Sequence, residues 1–395
     1  MRISHDHPAC RISTCIVQPE VMICAAVALC FLARLAGAIN AQTTQRIALR
    51  PAVASFDVPD ENFTQITSIR ELSDGRLLVA DRTENRLALL DFDAKKSTPI
   101  GRPGDGPGEF RGIGWLYALG GDSTVLTDRA TQRWYILEGS RIVETVPATR
   151  SLASLLGPRL AGFDRLGHVL GVTTSHFPTN IRLGRDYADS LQVLMVHRRT
   201  LEADTIEQIQ GRGRLGISEN PLTPNPLSTE DVVLLFADGW TALAWADPYR
   251  VDWRTPAGTW IRGEPLPFSR ERVGTDEKCA AWRRWAAESD FVCRPNAIVG
   301  WPEYMPPFLA FSTMWLNGYG TPAGVAMPDG GLLLRRAPSL LRTGTHYDLI
   351  SREGRLVGAL GLAQNEMVIG FGQRSIYVVV TSDVGLQSVR RHPWP

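Results

Sequence analysis

Residues 75–91 read GRLLVADRTENRLALLD, and residues 123–138 read STVLTDRATQRWYILE. Each is an apolar run, a short polar turn and a second apolar run, the pattern of two antiparallel strands. The two segments align nearly turn for turn, and the Asp-Arg pairs Asp81-Arg82 and Asp128-Arg129 fall together. Working outward, QITSIREL (65–72) and an SDG turn precede the first segment, and STPIGR (97–102) follows it. That makes four short strands in a meander. The second unit runs in the same way from Gly114 to Val146.

Weaker copies follow: 159–174 continuing, past an insertion, near 190; then 232–263, 324–361 and 367–391. The six units are spaced by roughly 45 residues where nothing is inserted, the signature of a propeller of four-stranded blades. The last unit lacks a fourth strand, while RIALRPAVASFD (46–57) stands unpartnered ahead of the first. The sequence therefore predicts that a strand from the N-terminal side completes the last blade and shuts the ring, leaving no open edge. The fold expected is all-β: a six-bladed β-propeller with a small helical insertion between blades 4 and 5.

The repeat resembles those of six-bladed propellers of the NHL and TolB-like kind, in which DGxLLVAD…NRLxxxD recurs. GDGPGEF (104–110) resembles a loop of bacterial exported six-bladed β-propeller proteins, most without assigned function. The resemblance implies the fold and implies little about activity.

GRPGDGPGEF (101–110) invites comparison with a phosphate loop. It lacks the Lys-Ser or Lys-Thr of GxxxxGK[ST], and the next segment is a strand rather than a helix. It is read instead as the crossing from blade 1 to blade 2. Glycines permit the turn, Phe110 anchors it between the blades, and Glu109 accepts backbone N–H bonds.

With strands A to D in each blade, A–B and C–D turns share one end of the ring. B–C turns and D–A crossings share the other. The long connections 175–189, 214–231 and about 265–320 all fall at that second end, where binding sites usually lie on a rigid scaffold. The longest is expected to hold a helix near 275–288, with Thr275 as its cap and Trp282 and Trp285 on one face. Trp301, Tyr304 and Trp315 extend the aromatic segment. These aromatics either line a ligand site or pack the insertion onto the ring.

At residues 21–33 an apolar run precedes AGA and INA, the form of an export signal cleaved after Ala38 or Ala41. The long polar stretch ahead of it also allows Met22 as the start. Residues 1–41 are read as signal peptide and 42–395 as the propeller, placing the protein in the periplasm or outside the cell with no membrane span after processing. Only Cys279 and Cys293 then remain, a disulfide candidate in an exported chain. A formal net charge of +1 offers no field for nucleic acid.

No Ser-His-Asp set, zinc motif or EF-hand stands out, and His168, His176 and His346 are read as structural. Asp81, Asp128 and Asp383 at the loop-rich end could hold Ca²⁺, as in lactonase-type propellers, or could each cap a turn. Arg82, Arg129, Arg335 and Arg336 could form an anion-binding rim. The function expected is a monomeric binding module for a protein, peptide or carbohydrate, with no cofactor. The competing class is a Ca²⁺-dependent, lactonase-like hydrolase.

Overall fold

The computed structural model describes residues 45–58, 62–104, 106, 108–147, 160–172, 190–210, 226–227, 231–286, 292–297, 300–309 and 323–395. Six sheets follow one another along the chain. Blade 1 holds strands A to D at Ile66–Glu71, Leu77–Asp81, Arg86–Asp91 and Lys96–Ile100. Blade 2 holds Ile113–Gly120, Ser123–Asp128, Arg133–Glu138 and Arg141–Pro147. Blade 3 holds Leu160–Phe163, His168–Val172, Ser190–His197 and Ala203–Gln210. Blade 4 holds Val232–Leu235, Thr241–Ala246, Tyr249–Arg254 and Trp260–Ile261. Blade 5 holds Gly324–Ala326, Leu332–Arg335, Thr345–Ile350 and Leu356–Leu362. Blade 6 takes only Glu366–Phe371, Ser375–Thr381 and Gln387–Pro393 from the C-terminal segment.

The N-terminal segment supplies what blade 6 lacks. Strand β2 (Ala54–Phe56) pairs antiparallel with Gln387–Pro393, Phe56 opposite Val389, and so becomes its fourth strand. Strand β1 (Gln45–Ile47) was not expected. It adds in parallel to the outer edge of blade 5, Arg46 opposite Ala359. The strap thus grips two blades rather than one.

Apolar side chains show why the blades form a ring. In strand B of blade 1 every residue is buried. Leu77 and Val79 point into a cluster with Tyr377 and Val379 of blade 6, while Leu78 and Ala80 point into one with Leu126 and Tyr135 of blade 2. Successive side chains of a strand face opposite ways, so a strand buried on both faces needs a continuous apolar run, and LLVA is one. Comparable clusters fill the seams between blades 2 and 3, 3 and 4, 4 and 5, and 5 and 6.

The glycine crossing folds as its residues suggested. Arg102–Pro103 and Glu109–Phe110 pair in parallel, and the Gly104 N–H donates to the Phe110 carbonyl at 3.0 Å. Phe110 is fully buried in the seam, edge-on to Tyr135 with ring centroids 4.9 Å apart. One Glu109 oxygen accepts the Gly106 N–H at 2.7 Å and the other accepts Arg102 Nε at 2.7 Å. Gly101 and Gly104 have φ of +68° and +151°, and a Cβ on Gly104 would lie 2.2 Å from a Glu109 oxygen. The close approach of the carboxylate therefore requires glycine there.

Helix α1 (Thr275–Ala286) is the only α-helix among the described residues and lies between blades 4 and 5. Its cap differs from expectation. The Gly274 carbonyl accepts the first helical bond from Lys278, and Glu277 reaches back to accept the Gly274 N–H at 2.9 Å. Gly274 thus takes the cap position and Thr275 the first helical one, because a carboxylate three residues on closes the turn in a capping-box fashion. The disulfide joins Cys279 to Cys293.

Candidate functional site

The D–A crossings and B–C turns meet at one end of the ring, and the site residues expected from the sequence are at that end. Asp81 and Asp128 end strands B of blades 1 and 2 and are 0% and 1% exposed. Asp81 accepts the N–H groups of Thr64 (2.6 Å), Gln65 (3.2 Å) and Glu84 (3.2 Å). Asp128 accepts those of Arg111 (2.9 Å), Gly112 (3.1 Å), Ala130 (3.0 Å) and Thr131 (3.1 Å). Each carboxylate therefore ties the chain entering its blade to the B–C turn. Those turns close alike, with Asn85 and Gln132 both left-handed at φ of 49° and 54°.

Asp383 differs from the other two. Strand B of blade 6 stops at Thr381, and Asp383 stands exposed on the turn beyond it. The three carboxylates do not converge, and the described residues contain no group of three or more His, Cys, Asp or Glu able to hold a metal ion. Two of the three are spent on backbone donors, so this set does not fit a Ca²⁺ cage, which wants six to eight oxygens around one point.

The arginines fare better. The Arg82 N–H donates to the Gln65 carbonyl at 3.0 Å, that of Arg129 to Gly112 at 3.0 Å, and that of Arg335 to Ala323 at 2.7 Å. These are equivalent bonds from the end of strand B to the residue before strand A, so Arg82, Arg129 and Arg335 occupy one position in blades 1, 2 and 5. Thr381 holds it in blade 6, bonded in the same way to Asn365 at 2.9 Å. All three arginines are half-buried. Arg335 places Nη1 3.3 Å from Met367 Sδ, and burial lowers its pKa, with Tyr347 opposing that.

Arg336 turns away from this rim. Its guanidinium lies 5.5 Å from the Phe268 ring and places Nε 3.5 Å from Asp348. Asp348, on strand C of blade 5, also accepts the Tyr249 hydroxyl of blade 4 at 2.7 Å. Burial raises the Asp348 pKa against the pull of Arg336 and the Tyr249 hydrogen bond, and burial likewise holds the Tyr249 phenol well above its ordinary value.

The insertion is moored over this pair. Its neck is a short clasp in which Val273 N–H donates to the Glu303 backbone carbonyl at 2.9 Å and Met305 N–H to the Glu271 backbone carbonyl at 2.7 Å. Phe308 bridges to Arg336, Arg342 pairs with the Glu271 carboxylate at 3.0 Å, and Ser339 donates to that carboxylate. Ala281 of α1 packs with Leu227, Met305 and Ala337 in a small core of its own. Trp301 donates Nε1–H to the Pro295 carbonyl at 2.9 Å, and so serves the insertion's own packing. Trp282 is half-buried on α1, whereas the Trp285 side chain, Trp315, His176 and the rest of 175–189, and most of 214–231, lie outside the described residues.

Sequence reasoning missed the Tyr249–Asp348 pair and a second buried carboxylate, Asp252. The latter binds Arg250, Arg262 (2.9 Å), Trp245 Nε1 (2.7 Å) and the Gly263 N–H (2.9 Å). Both aspartates were visible as lone charges within apolar C strands, VDW and YDL, and a charge in such a run needs a partner.

No family model matches the sequence, and no curated protein matches it. Solved structures are similar in fold. A Bacteroides fragilis protein classed as exported is 10% identical, with a TM-score of 0.47 over 90% of this chain and 96% of its own. A Bacteroides thetaiotaomicron protein of unknown function is 13% identical, with a TM-score of 0.43 over 86% and 72%. Regucalcin, a calcium-binding protein of Agrobacterium tumefaciens, is 11% identical, with a TM-score of 0.39 over 88% and 98%. At these identities the likeness is one of fold. This chain is a six-bladed β-propeller. No helix among the described residues of the propeller is long and apolar enough to cross a membrane.

Proposed function

We propose that the propeller is an exported binding module whose loop-rich end receives a protein, peptide or carbohydrate ligand through carboxylate groups on that ligand. The observation that carries this reading is the recurrence of arginine at one register position, Arg82, Arg129 and Arg335, in blades 1, 2 and 5. Guanidinium groups match carboxylates in bidentate pairs. The neighbouring carboxylates Asp81 and Asp128 face backbone donors and leave that role to the arginines. Trp282 of α1 supplies apolar contact at the same end. Export, a signal peptide over residues 1–41 and a monomeric state belong to the same proposal, supported by the apolar run at 21–33 and the Cys279–Cys293 bridge.

The test is a screen of acidic peptides and uronic-acid glycans against the full chain, followed by titration of the best ligand into Arg82→Ala/Arg129→Ala. A loss of tenfold or more, with unchanged melting, supports the rim. Equal binding by wild type and variant would overturn it. Melting with Ca²⁺ and with EDTA addresses the hydrolase class, since a resident metal raises the melting point.

A further inference from the structure

At the opposite end of the ring, strands B and C of blade 3 place two histidines side by side. His168 begins strand B, His197 ends strand C, and the two are register partners. The Arg198 N–H donates to the Gly167 carbonyl at 2.8 Å, which makes 168 and 197 a non-hydrogen-bonded pair. That is the closer type of cross-strand pair, with both side chains on one face. The ring centroids are 5.7 Å apart and the planes cross at 74°.

Each ring is fixed through Nδ1. His168 Nδ1 lies 2.8 Å from an oxygen of Asp164, whose other oxygen accepts the His168 N–H at 2.7 Å. Asp164 is 1% exposed. A carboxylate only accepts, so Nδ1 of His168 carries the proton and Nε2 carries the lone pair. The His168 side chain is 34% exposed, which leaves this nitrogen a path to solvent.

His197 Nδ1 lies 3.1 Å from Thr200 Oγ1, whose hydroxyl donates to Glu202 at 3.0 Å. The Thr200 oxygen is then an acceptor for Nδ1–H, and Nε2 is again left as the ligand atom. The Thr200 N–H, 3.3 Å from the same nitrogen, favours the other tautomer, and a metal on Nε2 selects the first. A Cβ on Gly167 would lie 3.1 Å from His197 Nε2, so that nitrogen lies over the residue that precedes His168.

A histidine whose Nδ1–H is held by a carboxylate, directly or through a hydroxyl, has the outer-shell arrangement of a metal ligand. Two Nε2 atoms at about 2.0–2.1 Å from one ion would put the ring centroids about 5–6 Å apart, which brackets the separation here. We propose that His168 and His197 form a surface site for a late first-row divalent cation, with Cu²⁺ bound most tightly and Ni²⁺ and Zn²⁺ more weakly. Water completes the coordination. Asp164 and Glu202, through Thr200, are positioning residues, and Asp164 also offsets the charge of half-buried Arg198. The site lies at the end of the ring away from the arginine rim and is independent of it.

The test uses the full chain without an affinity tag. Cu²⁺ titration is followed by calorimetry and by electron paramagnetic resonance. Wild type is expected to show a site with two imidazole nitrogens. It should be lost in His168→Gln/His197→Gln, weakened at least tenfold in Asp164→Asn, and unchanged in His346→Gln at the loop-rich end. A measurement on wild type alone guards against misfolded variants. Substoichiometric Cu²⁺ should broaden the amide resonances of residues 164–168 and 197–202 and spare those of 82–85 and 129–132. Retention of the two-nitrogen signal in the double variant, or broadening elsewhere only, would overturn the proposal.

Discussion

The seam between blades 1 and 2 and the seam between blades 4 and 5 solve one problem in two ways. At the first, the crossing is short and closes on its own backbone. Phe110 fills the apolar space, Glu109 folds back on Gly106, and Asp128 gathers four N–H groups. At the second, strand B ends in Leu334 and Arg335 where blade 2 has Asp128 and Arg129. The long crossing is then held by side chains from both blades: Tyr249 on Asp348, Arg336 on Phe268, Arg342 on Glu271. A carboxylate that takes backbone donors consolidates its own turn. A carboxylate such as Asp348, whose partners come from two blades, makes their contact depend on its charge.

The seam between blades 1 and 2 depends most on Phe110. Phe110→Ala removes a fully buried ring from the seam and is expected to cost about 3–5 kcal/mol in urea unfolding. Phe268, only half-buried at the other seam, should cost clearly less as Phe268→Ala. Equal losses would mean that both seams rest on apolar packing alone.

Asp128→Ala strands four partly buried donors and should cost about 2–3 kcal/mol. Asp81→Ala, which strands three, should approach it. A loss under about 0.5 kcal/mol, the range of ordinary surface substitutions, would show that water replaces the carboxylate readily.

The smallest effect is on pH dependence, and its sign separates two aspartates of neighbouring blades. Burial raises the Asp348 pKa in the fold. The folded state therefore binds its proton first, and stability rises as pH falls from that raised value toward the ordinary value near 4. Asp252 behaves oppositely. Burial pushes its pKa up, but hydrogen bonds from Arg250, Arg262, Gly263 and Trp245 outweigh that and leave it lowered. Its contribution is complete above the ordinary value and is lost as pH falls through the lowered one. Stability measured between pH 3 and 7 in Asp348→Asn and Asp252→Asn should show the two slopes removed in turn. A profile unchanged by Asp348→Asn would remove charge from the account of the 4–5 seam.

Much of the fold was legible because its code is local. The Asp-Arg repeat left Asp81 and Asp128 open between a metal site and a turn cap; both bond into their turns, which share even the left-handed residue at their ends. The unpartnered N-terminal segment predicted the closing strand β2. It did not predict β1, since Gln45–Ile47 carries too little pattern to name a partner. The site was legible only in part. Arg82 and Arg129 stood out because their neighbours repeat. Arg335 and Arg336 looked alike in sequence, yet one residue of strand alternation sends the first toward Met367 and the second under the insertion.

What lay beyond reach was contact across seams and between strand ends. His168 and His197 are joined only by the pairing of strands B and C of blade 3. Tyr249 is 99 residues from Asp348, and Tyr377 is 306 residues from the Glu71 it meets where the ring closes. Six units, their turns, the closing strand and the stapled helix were legible because each is written in contiguous residues with a local pattern. Tertiary structure decided which buried charge meets which partner, because each seam joins faces of two blades and no local pattern records the face across the gap.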